Sequence, residues 1–222
     1  MIGGVSVKRG KFEADNSAEK QTTDEKEERT PKGFWKAVML YVHDLVYLLV
    51  IVLALLLLCF RIVIVSGTSM NSTLLDGDYL LLLSGNLFSS PKQGDIIVAS
   101  KEAFDKGEPI IKRVIATENQ TVDIDFEQGI VFVDGKPLSE PYILNPTTDR
   151  EGVTFPLKVD EGCVFVLGDN RGGSLDSRSR EIGLIDCREI VGKAIFLFIP
   201  GTNRGQQSRD FSRIGAITNA AG

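Results

Sequence analysis

PIIKRVIAT, residues 109–117, gathers Ile110, Ile111, Val114 and Ile115 around one lysine and one arginine. A short apolar run rich in β-branched residues, opened by a proline and followed by polar residues, reads as a buried strand. Alternation along a strand sends Lys112 and Arg113 to opposite faces. A lysine so placed either lays its stem on apolar surface and keeps its head in water, or is desolvated and holds its proton less tightly.

Six further stretches share the texture: DYLLLL (78–83), DIIVAS (95–100), TVDIDF (121–126), GIVFVDGK (129–136), CVFVLG (163–168) and EIVGKAIFLFI (189–199). Some are continuous apolar runs, as buried strands are, and others alternate. Asp134-Gly135 between IVFV and KPL is a two-residue hairpin signal. Helical periodicity is missing after residue 66. The expected fold is mainly β: an antiparallel β domain over 66–200, with a small excursion at 137–160 where proline and charge concentrate. Residues 201–222 are polar and glycine-rich, and read as a flexible tail.

Upstream lies LVYLLVIVLALLLLCF (45–60), sixteen residues without a charge. Extended back to Val38, it reaches the roughly 20 residues that span a bilayer as a helix. Segment 37–65 is therefore expected to be one N-terminal transmembrane anchor, with His43, Asp44, Tyr41 and Tyr47 near one interface. A cleaved secretory leader fits less well, because 36 polar residues precede the run. Those residues hold eight Lys and Arg against seven Asp and Glu and read as a disordered tail. Lys32 and Lys36 on one side and Arg61 on the other tip the tail towards the cytoplasm.

Composition closes off several chemistries. The chain has 222 residues, 43% of them apolar, a net charge of −5 and a pI near 5.1. Phosphate neutralisation needs clustered Lys and Arg, so no nucleic-acid partner is expected. His43 is the sole histidine, and it lies at the front of the apolar run. The soluble part therefore has no imidazole to serve a Ser-His or Cys-His nucleophile, nor a usual zinc site. No metal and no cofactor are expected. Cys59 is in the apolar run; Cys163 and Cys187 either pair in an oxidising compartment or are small core residues.

A serine nucleophile without histidine leaves lysine as the common base, provided the amine is neutral near physiological pH. Lys112 has the apolar context this requires, and Lys193, in VGKAIF, is its chief rival. Two polar stretches are candidates to meet it. SGTSMNSTL (66–74) follows the apolar run directly. GDNRGGSLDSRSREIG (168–183) follows the strand CVFVL and concentrates turn-forming and hydrogen-bonding residues.

Taken in order behind an N-terminal span, SGTSMNSTLLDGD, QGDIIV, IIKRVI and GDNRGGSLDSR resemble the bacterial type I signal peptidases, the membrane-anchored Ser-Lys proteases of protein export. The resemblance runs from the anchor to about Phe198. It implies a serine endopeptidase that removes N-terminal signal peptides, held in the cytoplasmic membrane by one span with its catalytic domain on the extracytoplasmic face. Ser69 becomes the nucleophile, Lys112 the general base, Ser174 the hydroxyl that orients the lysine, and Asp176 and Arg178 the pair that braces the loop. The oxyanion is expected to meet the Ser69 N–H and a donor from Ser66 or Gly67. Partners implied are signal peptides and the lipid bilayer, with the chain monomeric. Ser72 stands where the family usually has proline, and ATENQT (116–121) replaces its usual glycines and proline after the lysine. Two competing readings are a membrane-tethered β module without catalysis and a self-cleaving repressor. The latter shares the dyad but calls for a DNA-binding head.

Overall fold

The computed structural model describes residues 31–85, 87, 90–100, 108–202 and 208–217. Most of the segment read as a disordered tail, residues 1–30, lies outside them. Helix α1 runs from Pro31 to Cys59. At 1.5 Å per residue its 29 residues extend roughly 43 Å. Its Gly33–Cys59 stretch is long and apolar enough to cross a bilayer, and its large apolar side chains are exposed. It is consistent with a single-pass membrane anchor. The expected span of 37–65 is corrected at both ends: 31–36 are already helical, and the chain turns to strand at Phe60. RIVIV is β-branched after Arg61, a preference a helix disfavours, and the backbone of Phe60–Ile64 pairs with residues 79–83.

The strands are β1 (Phe60–Ile64), β2 (Tyr79–Ser84), β3 (Ile96–Ala99), β4 (Ile110–Thr117), β5 (Thr121–Asp125), β6 (Ile130–Val133), β7 (Lys136–Pro137), β8 (Leu157–Lys158), β9 (Cys163–Leu167), β10 (Ile185–Asp186), β11 (Ile190–Ile199) and β12 (Gly215–Ala216). The larger sheet has the order β1-β2-β11-β3-β4-β9-β10, with β12 added to β11, and every pairing is antiparallel. The smaller sheet has the order β7-β6-β5-β8. The fold is mainly antiparallel β behind one N-terminal apolar helix, as expected.

Side-chain alternation explains the core. On β3, Ile96 and Val98 enter one cluster with Met70, Leu74, Leu80 and Leu82. Ile97 and Ala99 enter another with Val114, Val166 and Ile185. Both faces of β3 are thus buried, which is why its sequence is continuously apolar. On β4 the pairing with β9 slips between Val114 and Ala116. The bulge lets consecutive Ile115 and Ala116 join a third cluster with Val122, Val131 and Phe165, tying the small sheet to the large one. Asp134 and Gly135 both have positive φ, 51° and 74°, the geometry of the two-residue hairpin that joins β6 to β7.

Three readings change here. The excursion is a four-stranded sheet that begins at Thr121, well before residue 137. The chain end is no free tail at 208–217, since Ala216 and Gly215 pair with Phe196 and Leu197; two residues of strand are too short a pattern to read from composition. Cys163 and Cys187 form no disulfide with each other. Cys163 lies opposite Asp186 and packs with the third cluster, while Cys187 packs with the second.

Candidate active site

Strand β4 carries Lys112 into the interior, with the residue only 5% exposed. Its strand is held on both sides, by Ile97 of β3 opposite Lys112 and by Leu167 of β9 opposite the next residue, Arg113. The Lys112 Nζ donates to Ser69 Oγ at 2.9 Å and to its neighbour's carbonyl, Ile111 O, at 3.1 Å. Burial lowers its pKa to about 8, against the opposing pull of Asp176, Asp169 and Glu151. Loss of hydration is thus the dominant influence on this amine. Lys193, the rival by sequence context, instead has its amine engaged by the buried Asp95 at 2.5 Å.

Ser69 opens a turn over residues 69–73. Asn71 N–H donates to Thr68 O, Leu74 N–H to Met70 O, and Met70 and Leu74 anchor the turn in the core. The loop before it is set by Gly67, whose φ of +93° only glycine adopts without strain. Gly67 N–H donates to Asp76 Oδ1 at 2.8 Å. That N–H is therefore engaged, whereas Ser66 is exposed beside the reacting groups.

The 168–178 loop closes the site from the other side. Asn170 N–H donates to Ser69 O and its Nδ2 to Thr68 O. Gly168 lies so close that a Cβ there would overlap both Ser174 and Ser69 O. Ser174 Oγ is buried and makes no hydrogen bond; it lies near Ser69 but is not bonded to Lys112. Asp176 and Arg178 form a buried two-pronged pair, at 2.8 and 3.0 Å. Asp176 also accepts Gly168 N–H, and Arg178 reaches the carbonyls of Arg171 and Ser174. The pair thereby holds the loop's two ends together.

Two residues beside the sequence candidates complete this framework. Arg113, facing away from Lys112, clamps Asp169 with two bonds at 2.8 and 2.7 Å and lies over the Tyr142 ring. Thr73, in the nucleophile turn, donates to the same Asp169. Asp169 was legible as part of GDN, and Arg113 as part of Lys-Arg, but nothing local marked Thr73 as their partner.

A groove of about 500 Å³ opens over the pair. Ser69 and Lys112 line it with Val63, Met70, Ile111 and Ile182, and Glu108 and Glu181 are its acidic members. Among the described residues no group of His, Cys, Asp and Glu is placed to hold a metal ion. What the arrangement offers chemically is a serine hydroxyl in contact with a desolvated amine, at the floor of a largely apolar groove.

Residues 38–199 match the family model described as signal peptidase, peptidase S26. The chain is 39% identical over 150 residues to a probable signal peptidase I-1 of Synechocystis sp., covering 64% of this chain and 72% of that protein. It is 33% identical over 189 residues to signal peptidase I T of Bacillus subtilis, covering 80% and 95%. A solved signal peptidase I structure from Enterococcus faecalis is 28% identical, with a TM-score of 0.40, covering 47% of this chain and 97% of that one.

Proposed function

The chain belongs to the signal peptidase family, peptidase S26, and on that premise we propose that it cleaves signal peptides from exported preproteins with a Ser69-Lys112 dyad. Signal-peptide cleavage by a serine endopeptidase is the activity of the family. The observation that carries the assignment of residues is the 2.9 Å contact between a desolvated lysine and a serine in a groove.

The neutral Lys112 amine takes the proton from Ser69 Oγ as that oxygen attacks the scissile carbonyl, forming the tetrahedral intermediate. Lys112 then returns the proton to the departing amine, leaving an acyl-enzyme that water hydrolyses by the same route. The oxyanion is held by Ser69 N–H and Ser66, since Gly67 N–H is engaged by Asp76. Ser174 Oγ, buried without a partner, is the hydroxyl available to orient the amine. Asp176 and Arg178 hold the loop that carries Ser174.

An extended, apolar substrate segment suits this groove, and adding it as a strand alongside exposed strand backbone would fix its register. Helix α1 anchors the chain in the membrane as a single span, with residues 66–200 on the extracytoplasmic face, where signal peptides emerge. The chain acts as a monomer. Cleavage of a secretory preprotein by the detergent-solubilised chain, set against Ser69→Ala and Lys112→Ala, tests the dyad. Loss of activity in both is expected, and full activity in either would refute it.

A further inference from the structure

Beyond residues 38–199 that the family model covers, the chain returns to the site. We propose that Arg213 is a positioning residue, and that the 208–217 segment is a latch holding the nucleophile turn in its reactive place. The proposal rests on Ser69 being the nucleophile.

The geometry is that of a built anchor. Asp78, fully buried, ends the loop that begins at Ser66. Arg213 Nη1 and Nη2 grip its two carboxylate oxygens at 2.9 and 2.7 Å. Gly201 N–H adds a bond at 2.6 Å, and Leu75 N–H one at 2.7 Å from within the turn's exit. Arg213 Nη2 also reaches Thr73 O at 3.3 Å, so one guanidinium spans both the turn and its C-terminal anchor. Thr73 in turn donates to Asp169, which Arg113 clamps from the lysine strand. Pairing of Gly215 and Ala216 with β11 fixes the latch backbone. Arg213 is far along the sequence from every motif, yet its charge compensates the carboxylate under the Ser69 turn.

A planar fork gripping both oxygens of a buried carboxylate fixes direction as well as distance, which a lysine does not. Small displacements of a nucleophile are costly to turnover, up to roughly 100-fold for about 1 Å. Arg213 bonds Asp78 and Thr73, neither of which lines the substrate groove, so its loss should spare substrate binding.

The test is steady-state cleavage of a secretory preprotein by the solubilised full chain, well below the melting temperature of each variant. Arg213→Ala is expected to lower kcat by roughly 10-fold or more with KM within about twofold. Guanidinium ion at non-denaturing concentration should restore part of that loss, and Arg213→Lys should fall between the two. If Arg213→Ala does not fold, Arg213→Lys, which keeps the charge and loses the fork, carries the same comparison. An unchanged kcat in a folded variant with a lowered Tm overturns the latch and leaves the segment a stabilising strap. Full activity of Ser69→Ala in the same assay would instead overturn the dyad.

Discussion

Lys112 and Ser69 meet at 2.9 Å but are held by opposite means. Lys112 sits in the middle of a sheet, paired with Ile97 of β3 while β9 pairs its strand from Arg113 on, among apolar neighbours. Ser69 sits in a loop without strand pairing, placed by three carboxylates: Asp76 on Gly67 N–H, Asp78 on Leu75 N–H, and Asp169 on Thr73. A β ladder gives the base a dry, stiff seat whose polarity is set by packing. A loop tied by charged anchors gives the nucleophile a position that single side chains can disturb. Substitutions around the two partners should therefore differ in kind, the first set acting on pKa and the second on geometry.

The largest effect is expected at the pair itself. Ser69→Ala and Lys112→Ala should each lower kcat roughly 10³-fold or more, and the double variant little further, because the two act as a unit. Additive losses measured in a preprotein cleavage assay would break the comparison at its centre.

Next is the carboxylate shared by both sides. Asp169→Ala leaves Arg113 charged and unpaired in the interior, where each is about 1% exposed or less. Such a loss costs about 3–5 kcal/mol, to be read by chemical denaturation. A cost below about 1 kcal/mol would show that Arg113 finds water or another partner.

Lys112→Met sharpens the other side. An amine whose pKa falls to about 8 on folding binds fewer protons folded than unfolded between pH 8 and its ordinary value near 10.4. Stability of the wild type should therefore rise with pH across that window, and its full cost, about 3 kcal/mol, is present below pH 8. Methionine removes that cost. The variant should be inactive yet more stable at pH 6, with the advantage fading as pH approaches 10.4. A less stable variant at pH 6 would mean that the lysine is not desolvated.

The smallest expected effect is at Asp76→Ala, which releases Gly67 N–H and loses about 1 kcal/mol of stability. If Ser66 completes the oxyanion hole, kcat should change little while Ser66→Ala lowers it. A large loss of kcat in Asp76→Ala with Ser66→Ala unaffected would move the second donor to Gly67.

The lysine strand was legible in the sequence because a continuous apolar run is the direct signature of a strand buried on both faces, and one charge inside it stands out. The type I′ hairpin at Asp134-Gly135 was legible because few residue pairs adopt positive φ twice. Motif order gave the candidate residues of the site. What stayed hidden was tertiary. Thr73 and Arg213 look like ordinary polar residues, and their meaning comes from a carboxylate 96 residues away in one case and 135 in the other. The boundary at Phe60 was hidden for a different reason: apolar helix and β-branched edge strand follow one another with only Arg61 as a polar break. The small sheet was misplaced because its first strands are short and rich in Val and Ile like those of the larger sheet, and only pairing separates them.

The central claim is that a single lysine, its pKa lowered by burial, is the base. The direct test is the pH dependence of kcat/KM for preprotein cleavage by the wild-type chain. Activity should rise about tenfold per pH unit below an inflection near pH 8 and level off above it. A profile flat from pH 6 to 10, or an inflection near 10.4, would contradict it.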